Sequence, residues 1–227
     1  MSVPDLEQLQ KMTARFAPTE LKVDLSTLSE GDRKALVKLL QAARVIDDIF
    51  LTQYWSGNQA LYGKLRSDHT ALGKARLHYF WLNKSPWSAL DNHSAFLPGV
   101  PQRKPEGANF YPESMTKQQF ESWVQKLPPN EQDAAKGFFT VIEPNGKGGL
   151  KAVPFSDAYQ ADLDRAAKLL NEAAAFTGNP TLKRFLTARA AAFRSNDYYE
   201  SDVAWMDLDA PLDITIGPYE TYNDELF

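Results

Sequence analysis

Apolar residues recur at three- and four-residue spacing along most of this chain, which predicts a mainly helical protein. Leu6, Leu9, Met12 and Phe16 share one face of a short helix over Asp5 to Phe16, and Pro18 ends it. Ser29 is placed as the N-cap of a long helix reaching about Trp55, with Leu36, Leu39, Leu40, Ala43, Ile46, Ile49 and Phe50 along its face. Two more helices are expected, over Asn58 to Leu65 after a break at Gly57 and over Ala71 to Leu82. Thr116 and Gln119 form a capping-box pair that opens a short helix to about Lys126. Pro128-Pro129 stops it, and Asn130 is set to cap another short turn. Ser156 is expected to cap a helix to about Phe176, with Gly178 at a left-handed C-terminal position. Asn179-Pro180 then reads as a cap and first position of a helix to about Arg194.

The period changes in three places. Phe138 to Ile142 and Leu150 to Phe155 flank Pro144-Asn145-Gly146-Lys147-Gly148-Gly149, a β-hairpin with a glycine-rich turn. Val203 to Met206 and Asp213 to Gly217 are two further strand candidates. Asn83 to Pro112 is irregular, with Pro86, Pro98, Pro101, Pro105 and Pro112, and Trp87, Phe96, Phe110 and Tyr111 say that it is packed down. The expected fold class is α+β, mainly α-helical: helices with a β-hairpin and one or two further short strands. An N-terminal helical region, 1-82, is expected to run into a mixed α+β region, 83-227, in one continuous fragment of a larger bilobal protein.

Composition narrows the function classes. The 227 residues are 43% hydrophobic and 24% charged, as in an ordinary globular protein. No apolar run approaches the roughly 20 residues of a membrane helix, and the start lacks a signal peptide's basic and apolar regions. A cytoplasmic location is expected, or a periplasmic or exported one if a leader was removed. The absence of cysteine rules out disulfides, thiolate zinc sites and cysteine nucleophiles within the chain. The net charge of −4 argues against nucleic acid, and no membrane partner is expected. The charge is uneven: Ser195 to Phe227 holds nine acidic residues and no Lys or Arg. The chain ahead of it carries 25 basic against 20 acidic residues. Tyr198, Tyr199, Val203, Trp205, Ile214 and Ile216 make this acidic stretch a folded one, which calls for a cationic neighbour or ligand.

Candidate chemistry is sparse. His69, His78 and His93 lack the spacing of a zinc helix and read as surface or packing residues. Asp47 and Asp48 are adjacent on a helix and point about 100° apart, so they are no catalytic pair. The glycine-rich segment at Gly146 lacks the Gly-Lys-Ser/Thr ending of a phosphate loop. Asn92-His93-Ser94 matches a glycosylation sequon by chance in a chain without a secretory signal. In Asp213 to Glu220, Ile214 and Ile216 alternate with Thr215 and Gly217, and Pro218 puts the stretch at a sheet edge or strand end. Such an edge accepts an extended peptide as an added strand, unless the protein's own chain covers it. Asp197, Tyr198, Tyr199, Glu200 and Asp202 with Trp205 gather carboxylates and phenols suited to a peptide's ammonium, or form a solvated helix end.

Several blocks resemble the bacterial branch of the dipeptidyl peptidase III-like zinc metallopeptidases. They are Asp197 to Met206, Ile216 to Tyr222 with Asp224 to Phe227, Gly107 to Glu113 with Met115-Thr116, Ala42 to Phe50 with Gln53, and Val153 to Tyr159. The resemblance spans nearly the whole chain in order. It implies a bilobal hydrolase with a helical zinc site in one lobe and a small β-core in the other. The peptide would lie in the cleft as an extra strand, here along Asp213 to Glu220. The family's His-Glu and following His are missing, so the chain is expected to be the N-terminal portion of a longer protein and inactive alone. The resemblance implies no cofactor and no metal or catalytic residue in this chain, with zinc expected in the full-length protein. Its implied partners are short peptides and the C-terminal remainder of the same protein. The expected substrate-binding residues are Thr215 and Gly217 through their backbones, Glu220 and Tyr222 as support, and Glu200 or Asp202 at the ammonium. The alternatives are a stand-alone, non-catalytic peptide-binding module and part of a diverged zinc hydrolase.

Overall fold

A computed structural model describes residues 3–219 and 221–226. It is mainly α-helical with two small antiparallel sheets, the expected α+β class. In chain order the elements are α1 (Leu6–Thr13), α2 (Glu30–Tyr54), α3 (Asn58–Ser67), α4 (Ala71–Asn83), β1 (Trp87–Ser88), β2 (Ser94–Ala95), α5 (Lys117–Val124) and α6 (Pro129–Ala135). There follow β3 (Thr140–Pro144), β4 (Leu150–Pro154), α7 (Phe155–Ala158), α8 (Gln160–Phe176), α9 (Pro180–Ser195) and α10 (Tyr199–Met206). Among the described residues no helix is long and apolar enough to cross a membrane.

Local chemistry accounts for most boundaries. Asp5 and Gln8 exchange the two bonds of a capping box at the start of α1, and Thr116 with Gln119 does the same before α5. The Ser29 hydroxyl accepts from the Asp32 amide at 3.0 Å, as an N-cap should. Asn179 accepts from the Thr181 and Leu182 amides ahead of α9, with Pro180 at its first position. The hairpin pairs Val141 with Val153 and Ile142 with Ala152. Gly146 and Gly148 in its turn take positive φ.

Five expectations are corrected. Val203 to Met206 is the second half of α10, not a strand. A four-residue apolar run fits either element; Tyr198, Ser201 and Ala204, three apart and all buried, select the helix. Asp213 to Gly217 is extended but pairs with no strand among the described residues. Ser156 does not cap: it lies buried inside α7, and its amide donates to Asn196 Oδ1. Gly178 has no positive φ, because α8 ends on an extended Thr177 whose hydroxyl donates to Asp32 Oδ1 at 2.7 Å. Asn130 is likewise within α6, behind Pro128 at the cap position.

The chain forms two compact units, each assembled from separated stretches. The first takes in residues 1–21, 51–121 and 222–227, and the second residues 22–50 and 122–221. In the first, Leu9, Leu51, Leu65, Tyr79, Phe80, Phe96 and Leu97 make the core. The irregular stretch after α4 closes it: Trp87 is fully buried, and its indole donates to the Pro101 carbonyl at 2.8 Å. In the second, Leu163, Ala166, Ala167, Leu170 and Ala173 of α8 pack with Leu182, Phe185, Leu186 and Phe193 of α9. Ala35, Leu39, Ala42, Val45 and Ile49 of α2 join this core.

Within the first unit, Arg15 donates to the Asp91 carboxylate and to the Tyr79 hydroxyl. The Arg15 hydrogen bond holds the Asp91 carboxyl below its ordinary pKa. A depressed folded pKa gives stability that is present above the unfolded pKa near 4 and is lost as pH falls through the folded value. Urea midpoints of the wild type are therefore expected to fall between pH 5 and pH 3, and Asp91→Asn to flatten that part of the profile. Equal slopes in the two proteins would remove the assignment.

Candidate functional site

The second unit ends in an extended run after α10. Ile216 is buried and Ile214 and Leu212 are partly buried against the core, while Asp213 and Thr215 face solvent. This is a strand's alternation of side chains. Yet among the described residues no backbone–backbone hydrogen bond involves Ala210 to Gly217. The run is tethered at its start, where the Asp209 carbonyl accepts from Asn179 Nδ2 at 2.8 Å and from the Thr181 hydroxyl at 3.0 Å. Trp205, Met206, Leu208, Asp209, Ala210 and Asp213 border a concavity of about 300 Å³ beside it.

At its far end the run meets an aromatic cluster. The ring of Tyr219 lies over Gly217 so closely that a Cβ there would be 1.8 Å from Tyr219 Cε1. Tyr198 meets Tyr219 edge-on at 5.6 Å and Phe139 at 4.7 Å between ring centroids. Arg189 of α9, only 3% exposed, sits among these rings, 5.3 Å from the centroid of Tyr198 and 5.4 Å from that of Tyr219. Its Nη1 donates to the Tyr219 hydroxyl at 3.3 Å and its Nη2 to Asp202 at 2.6 Å. Its Nε and the buried Tyr198 hydroxyl have no hydrogen-bond partner among the described residues. Burial pushes the Tyr198 hydroxyl well above the usual phenol pKa.

The expected site residues fall in different settings. Thr215 is exposed on the unpaired run, whereas Gly217 is buried beneath Tyr219. Asp202 is engaged by Arg189, and Glu200 is exposed two residues earlier on α10. Tyr222 is 86% exposed. Glu220 lies outside the described residues. The cationic neighbours sought for the acidic stretch include groups of this same chain: Arg189 for Asp202, Arg184 for Asp207 and Lys104 for Glu225.

In the first unit, three of the family-like blocks converge. Asn109 donates from its backbone to the Gln53 carbonyl and from its side chain to the Thr52 carbonyl, each at 2.9 Å. The Tyr111 hydroxyl donates to Asp224 at 2.8 Å, and the Glu225 amide to the Glu106 carbonyl at 2.7 Å. Burial, and then the Asp224 carboxylate, keeps the Tyr111 hydroxyl protonated far above the phenol range. Lys104, its side chain 2% exposed, reaches Glu225 at 3.3 Å and donates to the Asn223 carbonyl.

Arg189, Tyr219, Asn109 and Lys104 were not singled out from the sequence. Arg189 alone left a readable trace, a charge on the apolar stripe Leu182, Phe185, Leu186, Ala190, Phe193. Among the described residues no three His, Asp or Glu side chains gather to hold a metal ion. His69 and His78 are exposed, and His93 has a buried Nδ1 without a partner. The residues present do not fit a zinc ion.

The overlap of Gly217 and Tyr219 gives a direct check. Gly217→Ala is expected to cost about 1–3 kcal/mol in urea denaturation by forcing the ring from its cluster. Adding Tyr219→Ala should make the glycine substitution nearly neutral. A neutral Gly217→Ala single variant would contradict the packing described.

No family model matches the chain. Nudix hydrolase 3 of Arabidopsis thaliana is 40% identical over 267 aligned positions, which take in 96% of this chain and 35% of that protein. The structure of dipeptidyl-peptidase III from Corallococcus sp. strain EGB matches with a TM-score of 0.95 and 54% identity, over 98% of this chain and 41% of that one. DPP III from Caldithrix abyssi matches with a TM-score of 0.90 and 45% identity, over 96% of this chain and 41% of that one. The chain thus spans 35% of the curated relative and 41% of each solved structure. In sequence and in fold together, the chain is similar to about two fifths of these solved dipeptidyl-peptidase III structures.

Proposed function

We propose that this chain is the substrate-binding portion of a dipeptidyl peptidase III-like zinc exopeptidase. The observation that carries this reading is the backbone of Ala210 to Gly217, unpaired among the described residues and held extended by side chains alternately packed into the core. An extended segment with free N–H and C=O groups is a template for β-strand addition, in which backbone bonds give affinity and side-chain recesses give selectivity. Thr215 offers exposed backbone groups, and the concavity beside Asp213 has room for a ligand side chain. Exposed Glu200 on α10 is available to a peptide's polar end. The solved relatives are named as dipeptidyl-peptidases, which supplies the substrate class. Zinc and its ligands belong, in this reading, to the remaining portion of the full-length protein. A second reading, part of another hydrolase, is favoured by the likeness to a protein named as a Nudix hydrolase.

Isothermal titration of short peptides with a free N-terminus tests the docking role. Wild type is expected to bind. Thr215→Pro, which removes one amide with no backbone partner among the described residues, is expected to weaken binding about tenfold without lowering the Tm. Thr215→Ala should bind as wild type does. No binding by wild type, or equal binding by Thr215→Pro, overturns the reading. With added zinc, this chain alone is expected to release no dipeptide from an arylamide substrate, whereas turnover would place the catalytic centre here.

A further inference from the structure

Arg189 occupies a core position that a leucine would fill at no electrostatic cost. It follows Phe185 and Leu186 on the buried face of α9 and precedes Phe193, all three almost fully enclosed. An enclosed guanidinium is costly unless its charge and its donors are met. Here the charge is met by Asp202, whose side chain is 61% exposed on α10. One arm of the fork suffices for that pairing. The other arm is spent on the Tyr219 hydroxyl, and the ring of Tyr219 fills the space above Gly217. The guanidinium carbon of Arg189 in turn lies within cation–π distance of Phe185, Tyr198 and Tyr219.

Among the described residues Arg189 Nε and the Tyr198 hydroxyl are buried without hydrogen-bond partners, so the guanidinium is held by its bonds to Asp202 and Tyr219. The run from Ala210 to Gly217 makes no ladder bonds among the described residues. Its position depends on its isoleucines and on whatever pins its end. From these contacts we infer that Arg189 is the positioning residue of this run: by holding Tyr219 over Gly217 it sets where the unpaired backbone lies. The inference rests on the docking reading for its consequence in peptide binding, but the positioning itself is a property of this chain alone.

Replacing the ion by a well-packed apolar side chain separates positioning from simple stabilisation. Arg189→Met fills the volume and leaves Asp202 in water, so the Tm should hold or rise. Arg189→Lys keeps a charge for Asp202 but loses the fork. Tyr219→Phe removes only the hydroxyl. Limited thermolysin digestion well below the Tm, mapped by mass spectrometry, reads the mobility of residues 208–219. All three variants are expected to be cut there at least tenfold faster than wild type, with the rest of the chain intact. The double variant Arg189→Met/Tyr219→Phe should be no faster than either single one. Peptide affinity by titration should fall about tenfold in the same variants. A residue that only stabilises the fold would lower the Tm and leave local cutting unchanged, and that result overturns the inference. So does unchanged cutting in Tyr219→Phe, which keeps the test open should Arg189→Met fail to fold. If wild type binds no peptide, the docking reading fails, while the digestion still decides the role of Arg189.

Discussion

The enclosed guanidinium of Arg189 is the constraint around which one end of the second unit is built. A cation cannot remain in an apolar core without a partner, so α10 must bring Asp202 to it and the chain after α10 must bring Tyr219. These two demands fix the direction of the polypeptide over some thirty residues, from α9 to the end of the extended run. The aromatic rings around the cation supply area and a face for the charge; the hydrogen bonds supply the geometry.

The run that results is unusual in what it leaves undone. Backbone groups are ordinarily paired wherever the chain is packed down, and among the described residues those of Ala210 to Gly217 have no backbone partner, although their side chains alternate as a strand's do. The first unit solves the same problem in the opposite way. Its irregular loops are tied by Asn109 to the carbonyls of Thr52 and Gln53, by Trp87 to that of Pro101, and by Glu106 to the amide of Glu225.

Where local chemistry and apolar spacing agree, the fold was legible in advance. α2 begins behind Ser29 and α9 behind Asn179, because in each case a cap and a helical stripe point to the same residue. The hairpin was legible for the same reason: its turn demands glycines, and two β-prone runs flank them. Reading failed where only one signal was present. Val203 to Met206 is too short for its period to choose between helix and strand, and Gly178 matched a position without matching its conformation. The candidate run was recognised from its alternation, but the ring of Tyr219 over Gly217 was not, since that contact turns on a side chain's direction rather than on sequence spacing. Lys104 was invisible among its prolines because its partners lie more than a hundred residues away.

That lysine has a consequence for dissecting the protein. Its ammonium is satisfied by the Asn223 carbonyl and the Glu225 carboxylate, with Leu226 packed beside Gly107 nearby. A chain shortened ahead of Asn223 would strand a positive charge in an oily interior without the carbonyl and the carboxylate that meet it. The closing residues are therefore a keystone for the unit that starts the chain, and an excised version of that unit has to carry them along.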